Sequence, residues 1–299
     1  MAQYQDSIAL PLGRAHAIFR SQSSVRKFVR RNPLGAAAGL VILVLVFTAV
    51  FAPLVAPYNP LLPIPIDRLQ APSALHLFGT DDIGRDVFSR VVYGGRVSLE
   101  VGILTVLLGT LVGAAIGLIS GYWSGWADTI VQRVLDSIQS IPGLLLALVV
   151  AAVIGAGTIN TIFPIALILI PINARVVRSA VLSAREQQYI EAARLLGCTN
   201  GRIMLRHVLP NVAAPILILA SIYVGNAIII EASLSFLGLG TAPPTPSWGN
   251  MLSGQGRTYM EGAPWLAIFP GLAIMVTVLS FNLLGDALRD TWDPRLRGR

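Results

Sequence analysis

Charge is missing from five long stretches of this chain, and that gap most constrains what it can fold into. Leu34–Ala52 (19 residues), Val101–Ala127 (27), Ser137–Ala174 (38), Val208–Ile230 and Gly262–Gly285 hold no Asp, Glu, Lys or Arg. An apolar run of about 20 residues crosses a ~30 Å hydrocarbon core as a helix. The third run would reach about 57 Å as one helix, so it must fold back. Gly155-Ala156-Gly157-Thr158-Ile159-Asn160 is the expected turn. Six spans result. Composition agrees: 12% charged residues is about half of what a water-facing surface carries. That argues against a soluble enzyme, and high hydrophobicity argues against a disordered chain.

The expected fold is an all-α membrane protein with six transmembrane helices. Residues 1–33 form one tail, 34–56 a first span, 57–96 an outer segment, 97–287 a five-helix core with a basic loop at 175–211, and 288–299 a second tail. The basic cluster before Leu34 resembles the start of a signal peptide. The apolar run is long for one and Pro53 follows directly, so an uncleaved helix is expected. Of 22 Lys and Arg residues, 17 fall in the two tails and two connections on one side of this topology. Arg68, Arg85, Arg90, Arg96 and Arg257 fall on the other. Basic residues mark the cytoplasmic side, so both tails and the loop are expected there. The net charge of +7 is then topology, and nucleic acid is not an expected partner.

No catalytic, cofactor or metal residues are expected on the chain. Cys198 is alone, and His16, His76 and His207 are too dispersed for metal-ligand spacing. The one lysine, Lys27, follows Arg26, so no Gly-Lys-Ser/Thr phosphate loop exists. HExxH and GxSxG motifs are absent as well.

Several features admit two readings. Gly109, Gly113, Gly117 and Gly121 recur every four residues on one drifting helix face. They suit static close packing, the plainer reading, or a moving interface. Glu231 is placed near the outer end of the fifth span. With Asn226 it is a candidate for the translocation path, the alternative being a solvated or paired helix end. Asp136 is expected to pair with Arg133 at i,i+3. Tyr122, Trp123, Trp126, Trp248 and Trp265 read as interfacial belts. Gly238–Gly256 reads as a loop. Arg185–Leu196 lacks Gly and Pro and suits a short helix ended by Gly197. Thr199 can cap a second helix through His207, and Pro210 stops it or opens the next span. Ala192 and Ala193 leave a shallow spot where another protein could seat. Arginines lying on anionic headgroups explain the loop equally.

Glu191-Ala192-Ala193, Gly197 and Leu209-Pro210 resemble the EAA loop of bacterial ABC importer permeases. The usual Ile two positions before Leu-Pro is His207 here, as in the peptide/nickel subgroup. Gly79-Thr80-Asp81-Asp82-Ile83-Gly84-Arg85-Asp86-Val87-Phe88-Ser89-Arg90, the Ala232–Gly240 stretch with Pro243–Gly249, and Phe281–Asp286 with Asp293-Pro294 are similar to DppC/OppC-type subunits. The resemblance implies a type I ABC importer (MetI-like) permease in a bacterial or archaeal inner membrane. It implies pairing with a homologous DppB/OppB-like permease, two ATPase subunits holding ATP and Mg, and an extracytoplasmic binding protein. It makes Glu191, Ala192, Ala193, Arg194, Gly197, His207, Leu209 and Pro210 the ATPase-coupling residues. The expected cargo is di- or oligopeptides, with nickel, glutathione or an opine-like solute as alternatives. A stand-alone secondary transporter would need midplane carboxylates and internal repeats. An intramembrane enzyme would need a reactive pair at depth. The spans show neither.

Overall fold

The computed structural model describes residues 28–292, apart from the side chains of Gln255 and Trp292. The expected tail cations Arg14, Arg20, Arg26, Lys27, Arg295, Arg297 and Arg299, and the Asp293-Pro294 pair, lie outside the described residues. Among the described residues no strand forms, and Thr80 and Asp86 make one isolated antiparallel bridge. A chain in lipid must satisfy its backbone internally, and helices do so.

Helix α1 (Pro33–Val50) begins with proline in its first turn, where the missing N–H costs nothing. It is apolar all round, and Leu40, Leu43, Val44 and Phe47 stay exposed as lipid-facing residues would. A one-turn α2 (Ala52–Val55) follows. Helix α3 (Val87–Trp123) has 37 residues. It starts ten residues before the expected boundary at 97, because Asp86 caps it by accepting from the Ser89 N–H at 2.7 Å. Loss of charge marks where hydrocarbon begins; the cap marks where the helix begins.

Helices α4 (Trp126–Gln139) and α5 (Gly143–Ile154) meet at an 86° bend. The 12 residues of α5 reach only about 18 Å, so the third span is broken. Pro142 causes the break by pushing Ile141 away from helical geometry. The expected fold-back then occurs at Gly155–Gly157, both glycines having positive φ. Helix α6 (Thr158–Arg185) runs back along α3.

Helices α7 (Gln188–Leu195) and α8 (Asn200–Ile203) follow at one end of the bundle. A π turn, Met204–Val208, joins α8 directly to α9 (Leu209–Phe236). Pro210 therefore opens the span without separating it from α8. The wide turn keeps preceding carbonyls off the Pro210 ring, which a regular α-turn would not. Helix α10 (Trp248–Ser253) sits within the stretch expected to be loop, and α11 (Gln255–Thr258) begins in it and ends two residues beyond. Helix α12 (Trp265–Trp292) is the last described element. Among the described residues five helices are long and apolar enough to cross a membrane, and six spans result if α4 and α5 count as one.

The four glycines of α3 face α6. A Cβ on Gly113 would lie 2.7 Å from the Ile170 carbonyl oxygen and 2.7 Å from the Asn173 Cβ. On Gly121 it would lie 3.0 Å from the Arg178 carbonyl oxygen. The backbones touch because nothing stands between them. The core is built mainly from α3, α5, α6 and α9, with Val101, Ile165, Leu169, Ala227, Ile228 and Leu234 among its buried members, and α1, α10 and α12 add Ala49, Trp248 and Phe281.

Residues 57–86 form a cap at the end opposite α7. Asp81 accepts from the Ile83 and Arg85 N–H groups at 3.0 and 2.9 Å. Gly79 and Gly84 supply positive φ. Trp265 Nε1 donates to the Thr80 carbonyl at 3.1 Å, and Phe78 stacks on Phe269. The Gly79–Arg90 motif thus has a structural explanation as the turn that starts α3.

Candidate functional site

Helix α7 is presented on a rigid mount. Gly197, at φ 77°, lets the Cys198 N–H reach the Ala193 carbonyl at 3.1 Å and its own N–H reach Arg194 at 3.0 Å. That paired closure ends the helix and aims the chain into α8. Thr199 Oγ1 accepts from the Arg202 N–H at the start of α8. Beneath, Ile190, Ala193, Ile203 and Val208 pack with Leu118, Tyr122, Val177 and Val181 into a second core.

The inward face corrects one expectation. Ala193 is 6% exposed, three residues from Ile190 on the side turned to the chain's own core, so it cannot be the open seat. Ala192, Glu191, Arg194 and Gly197 are exposed. Pro210 is exposed too, His207 is half-buried, and Leu209 packs against the second core. Beside the exposed set stand Leu195 and Leu196, at 85% and 84% exposure. Sequence reasoning missed this pair. Two leucines immediately before a helix-ending glycine were its available signal.

Arginines hold this end together. Arg178 pairs with Asp128 through Nε at 2.7 Å and through a terminal nitrogen, the two-pronged geometry that fixes orientation. Arg175, not Arg133, pairs with Asp136 at 2.7 Å. The expected i,i+3 pair yields to one that ties α4 to α6. Arg185 donates to the carbonyls of Gly121 and Tyr122, both at 3.3 Å, and to the Ser124 hydroxyl. It caps the negative end of α3. Tyr122 is buried and its hydroxyl donates to Asn200 Oδ1 at 2.9 Å, while Arg194 lies 5.7 Å above its ring. Tyr122 joins α3 to α8 and is not a belt residue. Trp248 and Trp265 are likewise bonded into protein, Trp248 Nε1 to the Val91 carbonyl at 2.9 Å. Trp123 and Trp126 remain exposed.

At the other end Glu231 is fully buried. Its carboxylate accepts from Ser98 Oγ at 3.1 Å and Ser235 Oγ at 2.7 Å. Ser235 Oγ in turn accepts from the Thr241 N–H, and Ser98 Oγ from the Trp248 N–H. The acid knots α3, α9 and α10 together and does not line a path, which corrects the candidate reading. Asn226 is exposed on α9. Among the described residues no group of His, Cys, Asp and Glu could hold a metal ion.

Residues 113–298 match the family described as binding-protein-dependent transport system inner membrane component. Residues 22–72 match the N-terminal transmembrane domain of oligopeptide transport permease C. The chain is 44% identical to the dipeptide transport system permease protein DppC of Alkalihalophilus pseudofirmus, over 91% of this chain and 89% of that one. It is 45% identical to the glutathione transport system permease protein GsiD of Pectobacterium atrosepticum, over 91% and 90%. In structure it is similar to a chain of the MetNI methionine ABC transporter in an inward-facing conformation. The TM-score is 0.55 at 19% identity, covering 67% of this chain and 94% of that one.

Proposed function

Because the chain belongs to the binding-protein-dependent transport system inner membrane components and is the permease subunit of an ABC importer with the type I fold, we propose that it takes up di- or oligopeptides and that α7 is where nucleotide-driven motion enters it. The supporting observation is the exposed face of α7 and its end, Glu191, Ala192, Arg194, Leu195 and Leu196. Two leucines open to water on a short, doubly anchored helix suit burial in a cleft of another protein. The residue below, Ala193, transmits the load into the second core. The basic end is cytoplasmic in this reading. Two ATPase subunits hold ATP and Mg and supply the energy, a homologous permease supplies the other wall of the path, and an extracytoplasmic binding protein delivers cargo.

Glutathione is the second cargo reading, favoured by the relative at 45% identity. Uptake by the reconstituted transporter of labelled dipeptides against glutathione separates the two. For the docking face, Leu195→Asp with Leu196→Asp should leave the permease folded and membrane-inserted while transport and stimulated ATP hydrolysis fall to background. Unchanged hydrolysis and uptake would remove α7 from the coupling role.

A further inference from the structure

A cavity of about 190 Å³ lies between the start of α3 and the 235–254 stretch, and neither the fold nor the coupling helix explains it. Arg85, Arg90, Ser235, Asn250 and Ser253 are among its lining residues. Both arginines are at least nine-tenths buried, at 8% and 5% exposure. They share one carboxylate: Arg85 Nε donates to Asp81 at 2.7 Å, and Arg90 Nε lies 3.6 Å from the same oxygen. Arg90 also donates one terminal nitrogen to the Pro60 carbonyl at 3.0 Å, but its buried Nε makes no hydrogen bond. Among the described residues, the Asp81 bond is the only hydrogen bond from the Arg85 side chain. Asp82 adds negative charge within electrostatic range of Arg90.

Buried donors are normally satisfied, and a guanidinium offers five in a planar fork that fits a carboxylate. Here two forks lean on one aspartate, and both arginines line the cavity. The wall opposite is set: Asn250 Nδ2 is spent on the Thr241 and Thr245 carbonyls at 3.3 and 2.7 Å. The Ser235 hydroxyl donates toward Glu231, so the nearby acid is turned away behind a hydroxyl.

We propose that this cavity binds a carboxylate, and that its ligand is the free carboxylate end of the transported solute. The inference rests on the peptide reading and deepens it: dipeptides and glutathione, the solutes named for the two relatives, both carry such a group. The cavity selects solutes by that group at the cap.

The test titrates the assembled transporter in nanodiscs, without binding protein, with alanyl-alanine and with its C-terminal amide, reading bound ligand by saturation-transfer NMR. The acid should bind, acetate should compete, and the amide should bind at least about tenfold more weakly, the scale of losing charge-assisted bonds. Ser253→Phe, which fills the cavity from the wall and leaves both arginines in the sequence, and Arg85→Lys, which keeps a cation beside Asp81, should each weaken the acid by a similar factor. No detectable binding of the acid, equal binding of acid and amide, or acid binding that neither variant changes would overturn the proposal. Peptide uptake by the complete system, measured in parallel, is a separate result. Its absence beside an intact binding pattern sinks the cargo reading alone, and its presence without the pattern sinks the cavity alone.

Discussion

Ala192 and Ala193 adjoin in sequence and face opposite worlds. One is exposed and the other packs beneath Tyr122 and Val181. Ala193→Glu should therefore cost folded protein, by forcing a charge into a dry core. Ala192→Trp should leave the fold and impair coupling. Thermal unfolding of the detergent-solubilised permease, set beside transport, separates the two. Glu231 makes a similar point at the cap. Replacement by Gln keeps an acceptor for one serine. Replacement by Leu strands Ser98 and Ser235, and should lower stability by about 1–3 kcal/mol per stranded group, read as a lower unfolding temperature. Residue type and rough depth were legible for both positions. Which way each pointed was not, because that depends on how a helix is rolled against neighbours the local sequence does not name.

Among the elements, the spans were legible because hydrocarbon leaves a long uncharged record. The bend between α4 and α5 was not, since an uncharged run looks the same whether its helix is straight or folded at Pro142. The four-residue glycine rhythm of α3 marked a close-packed face, and α6 is what it meets. A Cβ on Gly117 would come within 3.0 Å of the Ala174 carbonyl carbon and the Arg178 nitrogen, backbone that cannot step aside. Gly117→Val should destabilise the permease by about 1–3 kcal/mol. Gly201→Ala is the contrast: nothing lies within 4 Å and the residue is helical. It should stabilise by about 0.5–1 kcal/mol. Paired melting curves decide whether the α3–α6 contact or a general glycine effect is at work.

Over the whole molecule, the two ends differ in chemistry. One carries arginines and an open leucine pair, and the other a cap knotted to the spans by hydroxyls and buried ions. In a Cys198→Ser background, a cysteine at Leu196 should react with membrane-impermeant maleimide only from the cytoplasmic side, and one at Leu75 only from outside. Reversed labelling would invert the proposed orientation. The helix running from Asn200 to Phe236 joins these ends, and its π turn has a consequence for their phase. A π turn is an α-helix carrying one surplus residue. Deleting Leu205, with Pro210→Ala to remove the ring that favours the wide turn, closes the ladder and leaves both flanking faces pointing as before. Inserting one residue beyond the turn swings one end by about 100° relative to the other. The docking face and the cap thus behave as two hands on one clock, set by an integer count of residues. The chain tolerates a missing tick at the π turn and no added tick elsewhere along the rod.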